Sequence, residues 1–253
     1  MMQPRHALIT GAGSGIGAAI AQTLAEAGMA VSLVGRRPGP LEEVARGLER
    51  ARAIVADVTR EADSAAMVEQ ARQCHGPLDI VIANAGAAES APVTRLDVEH
   101  WQRMLDVNLT GAFRTVKAAL PDLLRPGAQL PRIVFIASTA GIKGYAYSAA
   151  YCAAKHGVVG LARALAAELA PSSITVNAVC PGFTETPLLR ASVAQIVART
   201  ARDEAEARAE LVRFNPQGRF VQPQEVADTV LFLLGAAAQA ITGQAISVSG
   251  GET

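Results

Sequence analysis

Short runs of β-branched and aliphatic residues recur along the chain, and each is followed by a helix-length segment rich in Ala, Leu, Glu and Arg. Runs with so little polar alternation are typical of strands buried on both faces of a sheet. Strands that alternate with helices favour right-handed crossovers and parallel pairing. The sequence therefore predicts an α/β fold, a doubly wound Rossmann-type parallel sheet of about seven strands with helices on both faces. The predicted strands are residues 7–10, 30–34, 52–55, 80–83, 133–137, 175–179 and 245–248.

The chain length and the lack of a linker-like stretch predict a single domain over residues 1–253. Residues 184–217 break the alternation, because they form an insertion between the sixth strand and the last helix. We expect this insertion to be a substrate lid. Its interior has high helix propensity, and Glu204 lies four residues before Arg208, a spacing that favours an ion pair on one helix face.

Charge and composition exclude several kinds of partner. Lys plus Arg and Asp plus Glu each number 23, so no net charge attracts nucleic acid or an anionic membrane. We expect a small-molecule partner, no nucleic acid and no membrane. The three cysteines and four histidines are scattered, which predicts reduced thiols and no metal site. The polar start runs into an apolar stretch too short for a signal peptide, which predicts a cytoplasmic protein.

The first predicted strand ends in a glycine-rich turn that runs directly into a helical segment. Glycines at such a turn let the backbone approach a pyrophosphate, which then binds the free N–H groups of the helix start. The spacing is G-x-x-x-G-x-G rather than the usual G-x-G-x-x-G of dinucleotide sites. A tight connection without a ligand is the alternative. The residues expected to contact a dinucleotide here are Gly11, Ser14, Gly15, Ile16 and Gly17.

Further motifs follow in order along the chain. They are Asn84-Ala85-Gly86 after the fourth strand, Asn108 before Leu109-Thr110-Gly111, Ser138 at the end of the fifth strand, Tyr151 with Lys155, Pro181-Gly182 with Thr184 and Thr186 after the sixth strand, and Ser249-Gly250-Gly251 near the C-terminus. With the glycine turn, this set resembles the short-chain dehydrogenase/reductase family over essentially the whole chain. The resemblance implies an enzyme that moves a hydride between a nicotinamide dinucleotide and a carbonyl/alcohol pair.

Tyr151 and Lys155 lie four residues apart in a helical run, so their side chains share one helix face. A phenol has an ordinary pKa of about 10, and a nearby ammonium favours the phenolate. We therefore expect Lys155 to activate Tyr151 as general acid or base. Ser138 ends a strand at the carboxyl edge of the sheet, where its hydroxyl can hold a carbonyl oxygen. The resemblance implies that Ser138 orients substrate, Lys155 also binds the nicotinamide ribose, and Asn108 holds a water connecting Lys155 to solvent.

Each of these residues also has a purely structural interpretation. Tyr151 and Lys155 would be an amphipathic helix pair, Ser138 a strand-end hydroxyl, and Asn108 a locally bonded polar group. Their joint occurrence with the glycine turn favours the functional interpretation. The neighbouring Cys152 and His156 are expected to be packing or surface residues.

The resemblance implies contacts with the rest of the cofactor. Asp57 and Val58 would lie against the adenine ring, although a turn or N-cap role is the alternative for Asp57. The remaining expected contacts are Asn84, Ala85 and Gly86 along the adenosine ribose, Thr186 at the carboxamide or pyrophosphate, and Pro181, Gly182 and Thr184 around the nicotinamide.

The cofactor is expected to be NADP(H) rather than NAD(H). An NAD site places a carboxylate at the end of the second strand, to bind the ribose hydroxyls. Here that strand is followed by Gly35, Arg36 and Arg37, and Arg36 is better placed to bind a 2′-phosphate. Against this, position 14 is Ser14, where NADP-dependent relatives often have a basic residue. Two arginines in a solvated loop are the structural alternative.

Residues 175–188 and 218–226 resemble the 3-oxoacyl-thioester and polyketide ketoreductase branch of the family. This favours a β-keto thioester carried on acyl carrier protein or coenzyme A. The insertion offers apolar residues for a substrate wall, and its arginines would meet an anionic tail or simply be solvated; they are Arg190, Arg199, Arg202 and Arg213. An alcohol, sugar or hydroxysteroid dehydrogenase is the alternative. A non-catalytic dinucleotide-binding regulator is disfavoured, because none of the four expected catalytic residues is missing.

Residues 107–120 and 157–169 carry small and apolar residues around much of their helical circumference. Such faces need a partner beyond the sheet. In the family the same two helices pair across a dimer axis and the C-terminal strand pairs across another. We therefore expect a homotetramer with two-fold axes.

Overall fold

The computed structural model describes residues 4–253, which form one sheet of seven parallel strands. The strand order is β3-β2-β1-β4-β5-β6-β7. The strands are β1 (His6–Thr10), β2 (Ala30–Gly35), β3 (Ala51–Val55), β4 (Ile80–Ala83), β5 (Arg132–Ile136), β6 (Thr175–Pro181) and β7 (Ala245–Val248). Their ends lie within two residues of the predicted ends, and the predicted fold is confirmed. Residues 1–3 of the predicted 1–253 domain lie outside the described residues.

Helices cover both faces of the sheet, as predicted. One face is packed by α1 (Gly15–Glu26), α2 (Pro38–Arg46) and α9 (Pro223–Leu234). The other is packed by α3 (Glu61–His75), α5 (Gly111–Leu123) and α6 (Ala149–Leu169). The remaining helices are α4 (Val98–Leu105), α7 (Pro187–Arg199) and α8 (Glu204–Val212), and a π-helical turn, Asp106–Thr110, joins α4 to α5.

The strand order reverses at β1, which has β2 on one side and β4 on the other. Ligands of open α/β sheets bind at the carboxyl edge beside such a reversal. The main-chain N–H groups of Asn84 and Ala85 both donate to the Thr10 hydroxyl at 3.0 Å, and the Asn84 amide donates to the Thr10 carbonyl at 2.8 Å. These bonds hold the ends of β1 and β4 at a fixed separation.

The insertion contains α7 and α8, which share a small apolar core of their own. This core comprises Leu189, Val193, Ala207, Leu211 and Phe220. The chain enters and leaves the insertion at one point, because Glu185 N–H donates to the Val221 carbonyl at 2.9 Å and Val221 N–H donates to the Phe183 carbonyl at 3.0 Å. The two ends of the insertion are thus bonded to each other.

The ion pair predicted between Glu204 and Arg208 is wrong. Arg208 pairs instead with Glu185, and its guanidinium lies 4.9 Å from the centre of the Phe220 ring. An (i, i+4) pair on an exposed helix contributes only about 0.2–0.5 kcal/mol, so a tertiary partner outcompetes it easily.

Within residues 4–253, no helix has both the length and the apolar character needed to cross a membrane.

Candidate active site

The turn between β1 and α1 leaves no room for a side chain at Gly11 or Gly17. A Cβ atom on Gly17 would lie 2.3 Å from the Gly11 carbonyl oxygen, and Gly11 and Gly15 have φ angles of +67° and +56°. Ser14, at the N-cap of α1, makes no side-chain capping bond. The main-chain N–H groups at the start of α1 are therefore available to an anion, which fits the pyrophosphate of a dinucleotide.

A cavity of about 290 Å³ lies along the carboxyl edge of the sheet, at the reversal beside β1. Most of the predicted site residues line it. They are Gly11, Ser14, Gly15, Ile16, Gly17, Arg36, Asp57, Val58, Asn84, Ala85, Gly86, Asn108, Tyr151, Lys155 and Thr186. The structure thus brings together residues that are spread over most of the chain.

Three predicted nicotinamide contacts, Pro181, Gly182 and Thr184, do not line this cavity, and their role stays a prediction. β6 continues two residues beyond its predicted end, and Pro181 pairs with Val248 of β7. Gly182 N–H then donates to the Val248 carbonyl at 3.0 Å, and the Thr184 hydroxyl donates to the Gly182 carbonyl at 2.9 Å. The longer strand carries this segment towards the C-terminal residues instead of the cavity.

Asp57 lines the cavity and also closes a turn, the alternative considered for it. Its carboxylate accepts from the Thr59 N–H at 3.0 Å and from the Thr59 hydroxyl at 2.8 Å. Partial burial would raise the pKa of Asp57, but the two Thr59 bonds and the charges of Arg36 and Arg60 hold that pKa below its ordinary value. Asp57 is therefore a carboxylate at neutral pH, with Arg36 near it.

Asn108 is buried in the π-helical turn, a feature that often marks functional sites. Its side-chain amide donates to the carbonyls of Ala87 at 2.9 Å and Met104 at 3.0 Å. Both N–H donors of the amide are thus used to fix the chain after β4. A Cβ atom on Gly86 would lie 2.8 Å from Asn108 Oδ1, so glycine is required at that position.

Tyr151 and Lys155 lie one turn apart on α6, at the inner end of the cavity. Burial raises the pKa of Tyr151 to about 12, and a hydrogen bond with the Ser138 side chain opposes this rise. Burial also lowers the pKa of Lys155 to about 8. Lys155 Nζ lies 5.7 Å from the centre of the Tyr151 ring and donates to the Ile136 carbonyl at 2.9 Å. Burial dominates the Tyr151 pKa, and activation of Tyr151 by Lys155 stays a prediction.

Ser138 is not part of the cavity lining, but it contacts Tyr151 and so belongs to the same cluster. Its hydroxyl also accepts from the Ala140 N–H at 3.1 Å. This bond agrees with the structural interpretation of Ser138 as a strand-end hydroxyl that binds the main chain. Because a hydroxyl can donate and accept at once, both interactions are compatible.

Several residues around this site were not predicted from the sequence. The Ile136 carbonyl binds Lys155, and a Cβ atom on Gly141 would lie 2.7 Å from the Lys155 carbonyl oxygen. Arg37, Pro40 and Leu41 line the outer end of the cavity. Only Arg37 carried a signal in the sequence, as the second arginine after β2.

The described residues fit a nicotinamide dinucleotide. The glycine turn can hold a pyrophosphate, and Lys155, whose Nζ lies 5.7 Å from the centre of the Tyr151 ring, retains two N–H donors. Within residues 4–253, no cluster of His, Cys, Asp or Glu could hold a metal ion. The arrangement provides an anion-binding turn at one end and a proton-transferring group at the other.

Comparisons with known proteins agree with this geometry. Residues 5–197 match the family described as short chain dehydrogenase. The chain is 39% identical to the "Putative ketoacyl reductase" of Streptomyces coelicolor, over 97% of this chain and 95% of that protein. It is 41% identical to cis-4-hydroxycyclohexanecarboxylate dehydrogenase of Sinomonas cyclohexanicum, over 98% and 96% of the two chains.

The structure is also similar to a solved variant of actinorhodin polyketide ketoreductase with NADPH. The TM-score is 0.94 at 38% identity, and the match covers 99% of both chains. Sequence, fold and site therefore lead to one conclusion: this chain is an oxidoreductase that belongs to the short-chain dehydrogenase family.

Proposed function

We propose that this oxidoreductase reduces a carbonyl to a secondary alcohol, and that the substrate is a 3-oxoacyl thioester or a polyketide-like ketone. The observation that carries the proposal is the contact of Ser138 with Tyr151, one helical turn from the buried Lys155. The names of the ketoacyl reductase and polyketide ketoreductase relatives support the substrate class.

A bound nicotinamide supplies the hydride, and the chain supplies the proton and the orientation. Because the Tyr151 pKa is about 12, the phenol is protonated at neutral pH and can donate to the carbonyl oxygen. Ser138 holds that oxygen through its hydroxyl. Lys155 binds ribose hydroxyls with its free donors, and its charge stabilises the phenolate left after proton transfer. Asn108 fixes the main chain beside these residues. We also propose that Asn108 binds the water that reprotonates Tyr151 through Lys155.

The test is a screen at the reduced-nicotinamide absorbance band, with acetoacetyl thioesters, simple ketones, sugars and hydroxysteroids in both directions. Tyr151→Phe keeps the ring and removes the proton donor, so turnover is expected to fall at least about 10²–10³-fold with cofactor binding retained. Tyr147→Phe is the matched control, because Tyr147 is exposed and lies one turn before Tyr151. Near-full activity in Tyr151→Phe would show that the mechanism is wrong.

We also propose that NADP(H) is preferred over NAD(H). Arg36 lines the outer end of the cavity, directly after β2, and no carboxylate stands at the strand end to repel a 2′-phosphate. Arg36→Ala is expected to weaken NADP(H) binding by about 1.5–3 kcal/mol and to leave NAD(H) binding almost unchanged. Arg46→Ala removes an arginine of α2 outside the cavity lining and should change neither. Equal kcat/KM with the two cofactors in the unaltered protein contradicts the proposal.

The second candidate is an alcohol, sugar or hydroxysteroid dehydrogenase that works in the oxidative direction. The name of the Sinomonas relative favours it, since that protein is called a dehydrogenase of a hydroxylated ring acid. Faster oxidation of hydroxyl substrates than reduction of thioesters in the screen would select this candidate. The regulator alternative stays disfavoured, because Asn108, Ser138, Tyr151 and Lys155 lie together in one cluster.

We further propose a homotetramer in which the insertion acts as the substrate lid. Gly160 is exposed in the middle of α6, and the Phe113 ring of α5 is 44% exposed. In the described part of the chain, β7 is an edge strand that pairs with β6 alone. These are the surfaces that would meet across the two kinds of two-fold axis.

Cys74, Cys152 and Cys180 are all free thiols, in agreement with the cytoplasmic location that we propose.

A further inference from the structure

A second cavity, of about 450 Å³, lies between the chain that follows β4 and the C-terminal half of α7. Its lining includes Glu89 and Ser90 on one side, Gln195 and Arg199 on the other, and Arg95 and His100. It is separate from the cofactor cavity, with which it shares no lining residue. No residue of this cavity takes part in the proposed chemistry.

The charge in this second cavity is positive. The Glu89 carboxylate pairs with Arg103, whose guanidinium lies 3.5 Å from it, and His100 Nε2 lies 3.7 Å from it, beyond hydrogen-bond distance. Arg199 donates to the Ser90 carbonyl at 2.6 Å, and no carboxylate among residues 4–253 pairs with it. Arg95 forms no ion pair within residues 4–253. His100 is nine-tenths buried, and its Nε2 atom has no partner at hydrogen-bond distance.

Helix α7 contributes to the lining of both cavities. Leu188 lines the cofactor cavity, whereas Gln195 and Arg199 line the second one. These residues are seven and eleven positions apart, so they lie on one face of α7. In addition, the Ala91 N–H donates to the Tyr147 carbonyl at 2.8 Å, directly before the helix that carries the proton donor.

We propose that the second cavity binds the phosphate at the far end of a pantetheine arm whose thioester is reduced at the cofactor cavity. This inference rests on the proposed function and deepens it, since it assigns a site to the carrier of the acyl group. Two arginines without carboxylate partners and a buried imidazole Nε2 are donors suited to a phosphate. A neutral ketone would leave these donors unused.

The separation of the two cavities suits such an arm. Eleven residues of α7 span about 16 Å between Leu188 and Arg199 at the helical rise per residue. A pantetheine arm has about 13 bonds between its sulfur and its phosphate, or about 15 Å at the extended reach of a backbone. The arm therefore matches in length the part of α7 that separates the two cavities.

The first test measures binding by titration calorimetry, with saturating NADP⁺ present to block the cofactor cavity. Pantetheine 4′-phosphate is expected to bind at least about tenfold more tightly than pantetheine, which lacks only the phosphate. Arg95→Gln and Arg199→Gln should each remove most of this difference. Arg190→Gln is the matched control, because Arg190 is exposed on α7 about 180° around the helix from Arg199.

The second test compares KM values for acetoacetyl-coenzyme A, acetoacetyl acyl carrier protein and the neutral acetoacetyl-N-acetylcysteamine thioester. Arg95→Gln should raise KM about tenfold for the first two only, and the ratio between those two identifies the carrier. If Arg199→Gln fails to fold, Arg95→Gln still provides the test, since Arg95 is exposed.

Equal binding of pantetheine and its 4′-phosphate, or an equal rise of KM for all three thioesters, overturns the inference. If no thioester is reduced but the phosphate still binds tightly and depends on Arg95, the proposed reaction fails and the phosphate site stands. The two failures are therefore distinguishable.

Discussion

Burial acts in opposite directions on the two titratable groups of the active site. It raises the pKa of Tyr151 to about 12 and lowers that of Lys155 to about 8, because each group loses the hydration that stabilises its charged form. A phenol that stays protonated at neutral pH is an acid, which is what the reduction of a carbonyl needs. The oxidative direction needs the phenolate, so it should gain more from alkaline pH.

His6, far from the active site, allows the effect of burial on a pKa to be tested through the pH dependence of stability. Its ring is 1% exposed, lies 2.9 Å from both the Gly76 carbonyl and the Ser32 hydroxyl, and has its pKa lowered to about 4 by burial. The unfolded chain binds a proton at about pH 6.5, so the stability due to neutral His6 is complete above that pH. It is lost as the pH falls through about 4, and amounts to about 3 kcal/mol.

The measurement is urea denaturation at several values between pH 7 and pH 4. Carboxylates also titrate in this range, so the unaltered protein is compared with His6→Gln at each pH. The gap in unfolding free energy between the two proteins should shrink as the pH falls. A constant gap would falsify the assignment of a buried neutral imidazole.

At the residue scale, the sequence predicted groups whose spacing is local. Tyr151 and Lys155 share a helix face whatever surrounds them. The glycines of the turn between β1 and α1 are likewise recognisable from their spacing alone. The carbonyl of Ile136 that binds Lys155, and the carbonyl of Ala87 that binds Asn108, could not be predicted. Main-chain acceptors carry no residue-type signal, and these come from distant parts of the chain.

At the scale of secondary-structure elements, the conformation of the turn between β1 and α1 depends on its glycines. Gly17→Ala would bring a Cβ atom into the Gly11 carbonyl, which is main chain and cannot rotate away. We expect α1 to shift, with a loss of about 1–3 kcal/mol in unfolding free energy and at least tenfold weaker NADP(H) binding. Denaturation and cofactor titration measure the two effects.

Gly39→Ala is the control for this substitution. Gly39 is exposed in the first turn of α2, next to the cavity, and a Cβ atom there would meet nothing within 4 Å. Gly39→Ala should change neither the unfolding free energy nor the NADP(H) affinity beyond experimental error. Cofactor affinity that survives Gly17→Ala unchanged contradicts the proposed pyrophosphate site.

Strands were predictable because their positions follow from uninterrupted apolar runs. The end of β6 was not predictable, because the sequence at Cys180 and Pro181 is typical of the start of a loop. In the structure these two residues pair with Ser247 and Val248 of β7. That extension is the reason the segment around Gly182 lies away from the cavity. The π-helical turn around Asn108 was not predictable either, because a local change of helical pitch leaves no periodic signal.

At the scale of the whole molecule, the proposed tetramer explains an exposed glycine inside a long helix. Gly160 costs α6 about 1 kcal/mol relative to alanine, and a Cβ atom there would meet nothing within 4 Å of the chain itself. A glycine here is useful if a partner helix approaches closely. Gly160→Glu is therefore expected to break the association, while the better helix propensity of Glu preserves the fold.

Light scattering at micromolar concentration, together with far-ultraviolet circular dichroism, measures both effects. Gly47→Glu places the same charge at another exposed glycine, at the end of α2, and should leave the tetramer intact. A stable monomer in the unaltered protein, or a tetramer that tolerates Gly160→Glu, contradicts the proposal.

The bonded ends of the insertion have an evolutionary consequence. The main-chain bonds between residues 183–185 and Val221 close this segment at its base, and its small core is separate from the two that flank the sheet. Lengthening a segment closed in this way costs little, because loop-closure entropy grows only slowly with length. Recombination or duplication between these two points can therefore exchange the proposed substrate lid as a unit, while the seven-stranded sheet and its flanking helices are inherited unchanged.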